Sequence, residues 1–358
     1  MVSLLKLAEI TEEGVTFDDP YHQNNNESND QPSPKRMLLR PEDSIRHQNE
    51  IGSDIIMALD DVVSSTTCND QRFEIATYRT LRWYDRCLAA HSFPETQNLF
   101  PIIQGGLDIS KGGLRDRCLA GFKARDILQK GNIPGYAIGG LAGGESKEDF
   151  WKVVHHCCQA LPDDKPRYVM GVGYPLDLVV CTSLGVDMYD CVYPTRTARF
   201  GVALVAGNGR GNGGLMKLRN SVYFEDGRPI DEKCKCQACW GGLGGGEGGG
   251  KTTRLYTSRS ALHRLSKAGN PLAATLLTHH NIAYMMSLVR GMRCAIIEGK
   301  FDEFVRNFLI KHFTVVRDSV KDGNKDTDNG NDNNDKVIVK IPVWVKEAMM
   351  AAGINVDF

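Results

Sequence analysis

No apolar stretch in these 358 residues approaches the roughly 20 needed for a helix to cross a bilayer. The opening Met1-Val2-Ser3-Leu4-Leu5-Lys6-Leu7 has neither the cationic start nor the extended apolar core of a secretory leader. An intracellular protein with no transmembrane segment is expected. A surplus of either charge is also missing: 43 Lys and Arg face 44 Asp and Glu, a net charge of −1. With no global polyanion signature, any nucleic-acid site has to be local. One such region runs from Pro194 to Lys267, where 13 Lys and Arg stand against 5 Asp and Glu. The cysteines lack the regular spacing of a disulfide framework: eight of the 11 are scattered and three fall together at Cys234, Cys236 and Cys239. What is present, 41% apolar and 24% charged residues, is the composition of a soluble globular chain with one large domain or two.

Five short apolar runs, each closing on polar or glycine residues, punctuate the first two-thirds: IIMALDD (55 to 61), FPIIQGG (100 to 106), GYAIGG (135 to 140), RYVMGVG (167 to 173) and VDMYDCV (186 to 192). They read as buried parallel strands. Helical stretches lie between them, over 72 to 91, 112 to 126 and 145 to 161, and in the last Trp151, Val154, Cys158 and Leu161 share one face. Alternating strand and helix at this spacing predicts right-handed βαβ units, hence either a doubly wound sheet or a (β/α)8 barrel. In both, ligands bind at the carboxyl ends of the strands, where this chain carries Asp60, Gln104, Gly139, Gly140, Gly171 and Asp190. Segments 22 to 36, 240 to 251 and 322 to 336 are polar or glycine-rich and are expected as disordered insertions, because they bury too little apolar surface to offset their ordering entropy.

The Cys-x-Cys-x2-Cys spacing puts three thiols within six residues, and a fourth ligand from His263, His279 or His280 would complete a tetrahedral zinc site. Four protein ligands leave no open position for water, so such a metal would be structural.

The strings MALDDVVSS, IIQGGL, GYAIGGLAGGES, RYVMGVGYP, DMYDCVYPTRTARFG and CKCQAC followed by THHNIAY resemble, in order and spacing, the signature segments of the tRNA-guanine transglycosylase family, from Met1 to about Phe313. The resemblance implies a (β/α)8 TIM barrel, α/β in class, with an inserted zinc-binding subdomain and one structural Zn2+ held by Cys234, Cys236, Cys239 and His280. The activity it implies is exchange of the wobble guanine, guanine 34 of GUN-anticodon tRNAs, for queuine through a covalent aspartyl-ribosyl intermediate. A carboxylate is the right type of nucleophile for an anomeric carbon, and Asp190 matches the family's.

Asp60 matches the residue that reads the base edge, Gln104 and the Gly140 N–H those that bind its exocyclic oxygen. The Leu141 carbonyl would take the 7-substituent, and Met170 would wall the base. Gly143 and Val62 stand where bacterial relatives differ, and a glycine there implies room for the queuine cyclopentenediol. Gly171, Val172, Gly173, Tyr174, Pro175, Leu176 and Asp177, with Thr195, Arg196, Thr197, Ala198 and Arg199, match two loops that contact the tRNA anticodon loop; Arg196 and Arg199 suit phosphate and base-edge contacts.

One departure stands out. The family carries a second carboxylate in an Asp-Ser/Thr-Gly-Gly-aromatic-Gln segment, and this sequence opens directly after it, with five strands where a barrel needs eight. An incomplete, N-terminally truncated barrel is therefore expected, inactive by itself. The parts would be a partial barrel with the exchange site (1–205), a zinc-binding subdomain with the Gly-rich insert (206–290) and a C-terminal helical region (291–358). The alternatives are a non-catalytic accessory subunit, against which Asp190 in its full motif argues, and an inactive zinc-stabilised RNA-binding fragment. Resemblance to the eukaryotic branch further implies a heterodimer with a homologous accessory subunit, in the cytoplasm or at the outer mitochondrial membrane.

Overall fold

The computed structural model describes residues 8–19, 36–67, 70–207, 213–240, 256–316 and 337–357. The three expected insertions lie outside them, except that Arg36 opens a strand and Trp240 closes a short helix. The chain divides into two compact units, Met1–Val172 with Cys181–Asp190, and Gly173–Val180 with Cys191–Phe358.

The first unit begins with an antiparallel sheet of β1 (Glu9–Ile10), β2 (Val15–Asp18) and β3 (Arg36–Leu39), followed by α1 (Pro41–Ile51). Parallel strands then alternate with helices: β4 (Ile55–Met57), α2 (Asp70–Ala90), β5 (Asn98–Phe100), β6 (Ile102–Ile103), α3 (Leu114–Leu128), β7 (Tyr136–Ile138), α4 (Lys147–Ala160), β8 (Arg167–Val169), α5 (Pro175–Ser183, of which residues through Val180 count with the second unit) and β9 (Met188–Tyr189). β5 and β6 are one strand interrupted at Pro101, which has no N–H to give; its carbonyl still accepts from Ala137 N at 2.9 Å and keeps the ladder continuous. Spatial order therefore follows sequence order, β4, β5 with β6, β7, β8, β9. A doubly wound sheet has to reverse at a switch point. These strands never reverse, and among the described residues nothing pairs with the outer edges of β4 and β9.

The helices form because their apolar residues recur at three-and-four spacing. On α2 the buried side includes Ala76, Thr80, Trp83 and Cys87 with Leu81 and Tyr84. On α4 the four residues expected on one face, Trp151, Val154, Cys158 and Leu161, are all buried, and Ser146 caps the helix by accepting from Asp149 N at 3.0 Å. Each large apolar side chain so buried contributes about 1.5–3 kcal/mol.

In the second unit, α6 (Tyr193–Arg199), the antiparallel hairpin of β10 (Val202–Leu204) and β11 (Leu215–Lys217), α7 (Gln237–Trp240), α8 (Arg259–Lys267) and α10 (Phe301–Phe313) pack against α9 (Pro271–Ile297). A hairpin of β12 (Thr314–Val316) and β13 (Val337–Val339) precedes α11 (Val343–Ala351). Its core gathers Ala203, Met216, Leu218, Ala238, Cys239, Leu262 and Leu277. The expected boundary at 205 and 206 runs between the strands of the β10–β11 hairpin, and that at 290 and 291 runs inside α9. Among the described residues no helix is long and apolar enough to cross a membrane.

Candidate active site and metal centre

The candidate site residues lie just beyond the carboxyl ends of the parallel strands β4, β6, β7, β8 and β9. Asp60 follows β4, and Gln104 follows β6 and donates from Nε2 to Asp60 Oδ2 at 2.6 Å. Burial pushes the Asp60 carboxyl up to about 6, against the opposing pull of the Gln104 hydrogen bond and with help from the neighbouring Asp61 charge. The two adjacent aspartates have different jobs. Asp61 is fully buried, bridged by Arg72 and by Arg79 (2.6 Å), with its own N–H given to Thr80 at 3.1 Å. Asp61 is an anchor, and Asp60 faces the site.

Gly140, after β7, has φ +69°, and a Cβ there would lie 2.6 Å from Gln104 Oε1. Only glycine lets the chain turn so close to that amide. The next residues are held by Glu145, whose carboxylate accepts from Ala142 N (2.7 Å), Gly143 N (2.9 Å) and the Ser65 hydroxyl (2.7 Å). Burial works against the Glu145 charge, but these hydrogen bonds outweigh it and hold the carboxyl below its usual range. Leu141 is buried, Met170 and Val62 are half-buried. At Gly143 the structure differs from the open wall that glycine implied: a Cβ would sit 2.5 Å from Ser65 Oγ, so the space belongs to Ser65.

Asp190 follows β9 and is exposed. Its Oδ1 accepts from the Tyr168 hydroxyl at 2.5 Å and from Gly171 N at 2.8 Å. Burial, together with the hydrogen bond to Asp190, raises the Tyr168 phenol and keeps it a neutral donor. Oδ2 has no partner among the described residues, so one oxygen is fixed and the other left open. Tyr168 and Glu145 were not singled out by the sequence. For Tyr168 the signal was present, since its side chain alternates with the buried Arg167 and Val169 on β8.

The residues matched to RNA-contacting loops separate. Gly171 is exposed, but Val172, Gly173, Pro175, Leu176 and Asp177 are buried, the last three in the first turn of α5, and Tyr174 is half-buried. Residues 195–199 form the end of helix α6 instead of a loop, started by Pro194 in its first turn. On it Ala198 is buried, Thr195 and Thr197 return their hydroxyls to the carbonyls of Val192 and Tyr193 (3.0 and 2.8 Å), and Arg196 and Arg199 stand exposed with no ion pair among the described residues.

In the second unit Cys234, Cys236, Cys239 and His280 bring their ligand atoms within 4.8 Å of one another. Zn–S and Zn–N bonds at tetrahedral angles would set sulfur and nitrogen about 3.6 Å apart. His280 Nδ1 lies 3.7 Å from Cys236 Sγ and 3.4 Å from Cys239 Sγ, so the cluster fits a tetrahedral metal. His280 Nε2 donates to the Leu204 carbonyl at 2.8 Å, which fixes the tautomer that turns Nδ1 inward. The other two candidate histidines are occupied elsewhere, His263 with the Leu218 carbonyl (2.7 Å) and His279 with Gln237 (2.9 Å).

The next residue, Asn281, escaped the sequence reading altogether. Fully buried, it accepts from Leu204 N at 2.8 Å and donates to the carbonyls of Pro194 and Val202, both at 3.0 Å, and to Thr197 at 3.2 Å. One carboxamide thus ties α9 to both β10 and α6.

A family model described as queuine tRNA-ribosyltransferase matches residues 1–314. Among curated proteins the chain is similar to the queuine tRNA-ribosyltransferase catalytic subunit of Schizosaccharomyces pombe, 49% identical over 309 residues, 86% of this chain and 68% of the relative. The protein of that name from Caenorhabditis elegans is 39% identical over 358 residues, 100% of this chain and 76% of its own. The queuine tRNA-ribosyltransferase of Thermus thermophilus is 35% identical over 355 residues, 99% and 74% respectively.

Proposed function

Because the chain belongs to the queuine tRNA-ribosyltransferase family, we propose that it carries the nucleophile and base pocket that exchange guanine at the wobble position of GUN-anticodon tRNAs for queuine, with Asp190 as nucleophile on a (β/α)8 barrel framework, and that turnover requires in addition the second carboxylate of the family. The observation that carries this is the division of labour within the Asp190 carboxylate: Oδ1 is held by two donors and Oδ2 is open. Oδ2 gives an electron pair to the ribose C1′ while the C1′–N9 bond breaks and its pair leaves with guanine; the family's second carboxylate, which is not among these residues, would give that guanine its proton and take up the one lost from N9 of the incoming base. The resulting ribosyl ester is opened when N9 of queuine, having lost its proton, attacks C1′ and returns the pair to Oδ2. Two displacements retain the configuration at C1′.

The flipped base lies with its N1–H and 2-amino group on the Asp60 carboxylate, its 6-oxygen toward the Gln104 amide and the Gly140 N–H, its 7-substituent at the Leu141 carbonyl and its face on Met170. Glu145 supports the Leu141 reading, since by taking the amides of Ala142 and Gly143 it fixes the direction of the peptide that carries that carbonyl. Arg196 and Arg199 serve phosphates and base edges of the anticodon loop, and Gly171 the backbone approach. The buried members of the two matched segments, Val172, Leu176, Asp177 and Ala198, shape those surfaces from beneath.

The metal bound by Cys234, Cys236, Cys239 and His280 is zinc, which in a closed four-ligand site supplies a cross-link and no reaction chemistry. The relatives from Schizosaccharomyces pombe and Caenorhabditis elegans are named catalytic subunits, which supports a partner subunit; the family resemblance makes that partner a homologous accessory subunit in a heterodimer, in the cytoplasm or at the outer mitochondrial face. With the family's second-carboxylate segment joined ahead of Met1, incubation with a GUN-anticodon stem-loop and a slow acceptor base should trap a denaturation-resistant protein–RNA adduct, whereas residues 1–358 alone should show no base exchange. Asp190→Asn should abolish the adduct and retain RNA binding; an adduct of equal yield in that variant would move the nucleophile elsewhere.

A further inference from the structure

Arg115 occupies the first turn of α3, where the helix macrodipole favours anions, and it is fully buried. Among the described residues no carboxylate lies within ion-pair distance of it. The two thiols beside it, Cys118 and Cys157, are both pushed up by burial, Cys118 to about 12, and stay neutral. A buried cation without a counter-charge is costly, and Leu or Met would fill the same volume without that cost. Beside its contact with the Cys157 thiol, its three hydrogen bonds to oxygen go to backbone carbonyls: Nε to Gly106 O (2.8 Å), Nη1 to Ile103 O (2.9 Å) and Nη2 to Gly139 O (2.8 Å).

Joining β6 to β7 does not need this side chain, because the parallel ladder pairs Ile102 with Ala137 and Ile103 with Ile138 directly. The choice of carbonyls is more informative. The peptide of Ile103 ends in the N of Gln104, and the peptide of Gly139 ends in the N of Gly140. The two residues that meet the 6-oxygen of the base each follow a carbonyl gripped by Arg115. In a trans peptide the C=O and N–H point in opposite directions. Drawing Gly139 O toward the guanidinium therefore turns the Gly140 N–H away from it and toward the site. A cation on the carbonyl also polarises the amide and strengthens the N–H as a donor.

We infer that Arg115 is the positioning residue for recognition of the exocyclic 6-oxygen, fixing the Gly140 N–H beside Gln104 and favouring negative charge on the base as it leaves. The inference rests on the base-binding reading of this site. Its substrate consequence is a preference for a strong acceptor at position 6, hence guanine or its 7-deaza relatives over 6-thioguanine, whose sulfur accepts hydrogen bonds weakly.

Equilibrium dialysis of labelled guanine and 6-thioguanine against the full chain, with Arg115→Met and Arg115→Lys beside it, tests this. Wild type should prefer guanine. Arg115→Met should weaken guanine at least tenfold and 6-thioguanine less than threefold, so that the preference collapses. Arg115→Lys keeps the charge without the three-way grip and should fall between, which preserves the test if the Met variant does not fold. Thermal melting of each variant reports any structural loss separately. A guanine preference equal to wild type in folded Arg115→Lys, or equal weakening of both bases, would overturn the inference. Failure of wild type to bind either base would refute the base-pocket reading itself, and the inference with it.

Discussion

At the cysteine and histidine cluster every ligating atom has a neighbour and the histidine's outer nitrogen is spent on Leu204. At the strand exits two carboxylates are held on one side only, Asp190 by Oδ1 and Asp60 by Oδ2. The first arrangement suits a permanent bond, because nothing remains to exchange. The second suits turnover, because each group keeps a free direction that substrate can take up. The two also differ in how they are assembled. Three of the four candidate metal ligands lie within six residues, whereas the proposed exchange site draws on five strand ends spread over about 130 residues.

Removing a ligand from the closed cluster should give the largest effect. Cys236→Ala and His280→Ala are expected to lose bound zinc and with it the packing of the second unit, since structural zinc contributes apparent folding free energies of about 10–16 kcal/mol in small domains. Metal analysis and melting curves check this; stoichiometric zinc with an unchanged melting temperature in both variants would put the metal elsewhere. At the open site a single contact matters less. Tyr168→Phe removes one charge-assisted hydrogen bond to Oδ1, worth about 1.5–3 kcal/mol. Adduct formation should slow by about 10- to 150-fold while RNA affinity holds, and a variant as fast as wild type would show that Gly171 alone suffices.

The smallest effect is a pH dependence. To accept from the base, Asp60 must be ionised, and its base-free carboxyl titrates at about 6. Guanine affinity should therefore be level above about pH 7 and fall below about 6, by up to tenfold per unit. For the base-free fold the sign is reversed. An acid whose folded pKa is raised adds stability below its unfolded value of 3.8, and that stability is lost as the pH rises through about 6. Dissociation constants between pH 5 and 8 that do not change would break the contrast between an open, titrating site and a closed one.

Local patterns were legible in the sequence and distant ones were not. The buried stripe of α4, the strand ends and the cysteine triad are each set within one turn or one strand, where periodicity and spacing carry the information. Spacing left three histidines open as fourth ligand; the motif pointed to His280, and what excludes the others is which carbonyl or amide each ring reaches across 40 or more residues. Asp60 and Asp61 are indistinguishable as a dipeptide, and only Arg72 and Arg79 from α2 separate anchor from ligand. Arg115 and Asn281 sit on helices whose patterns give no hint of them, because their partners are backbone groups of other elements. The segment 195–199, read as part of a loop, lies in a helix because Asn281 and the neighbouring face of α9 give that helix something to fold against.

That last contact bears on how variant phenotypes should be sorted. Asn281 is fully buried, follows His280 of the cluster that fits a metal, and steadies the helix that bears Arg196 and Arg199. A metal assay would score its replacement by alanine as silent, and an RNA-binding assay would score the same change as a lost nucleotide contact. Either score would misplace it, since the residue works as a hinge pin between the two.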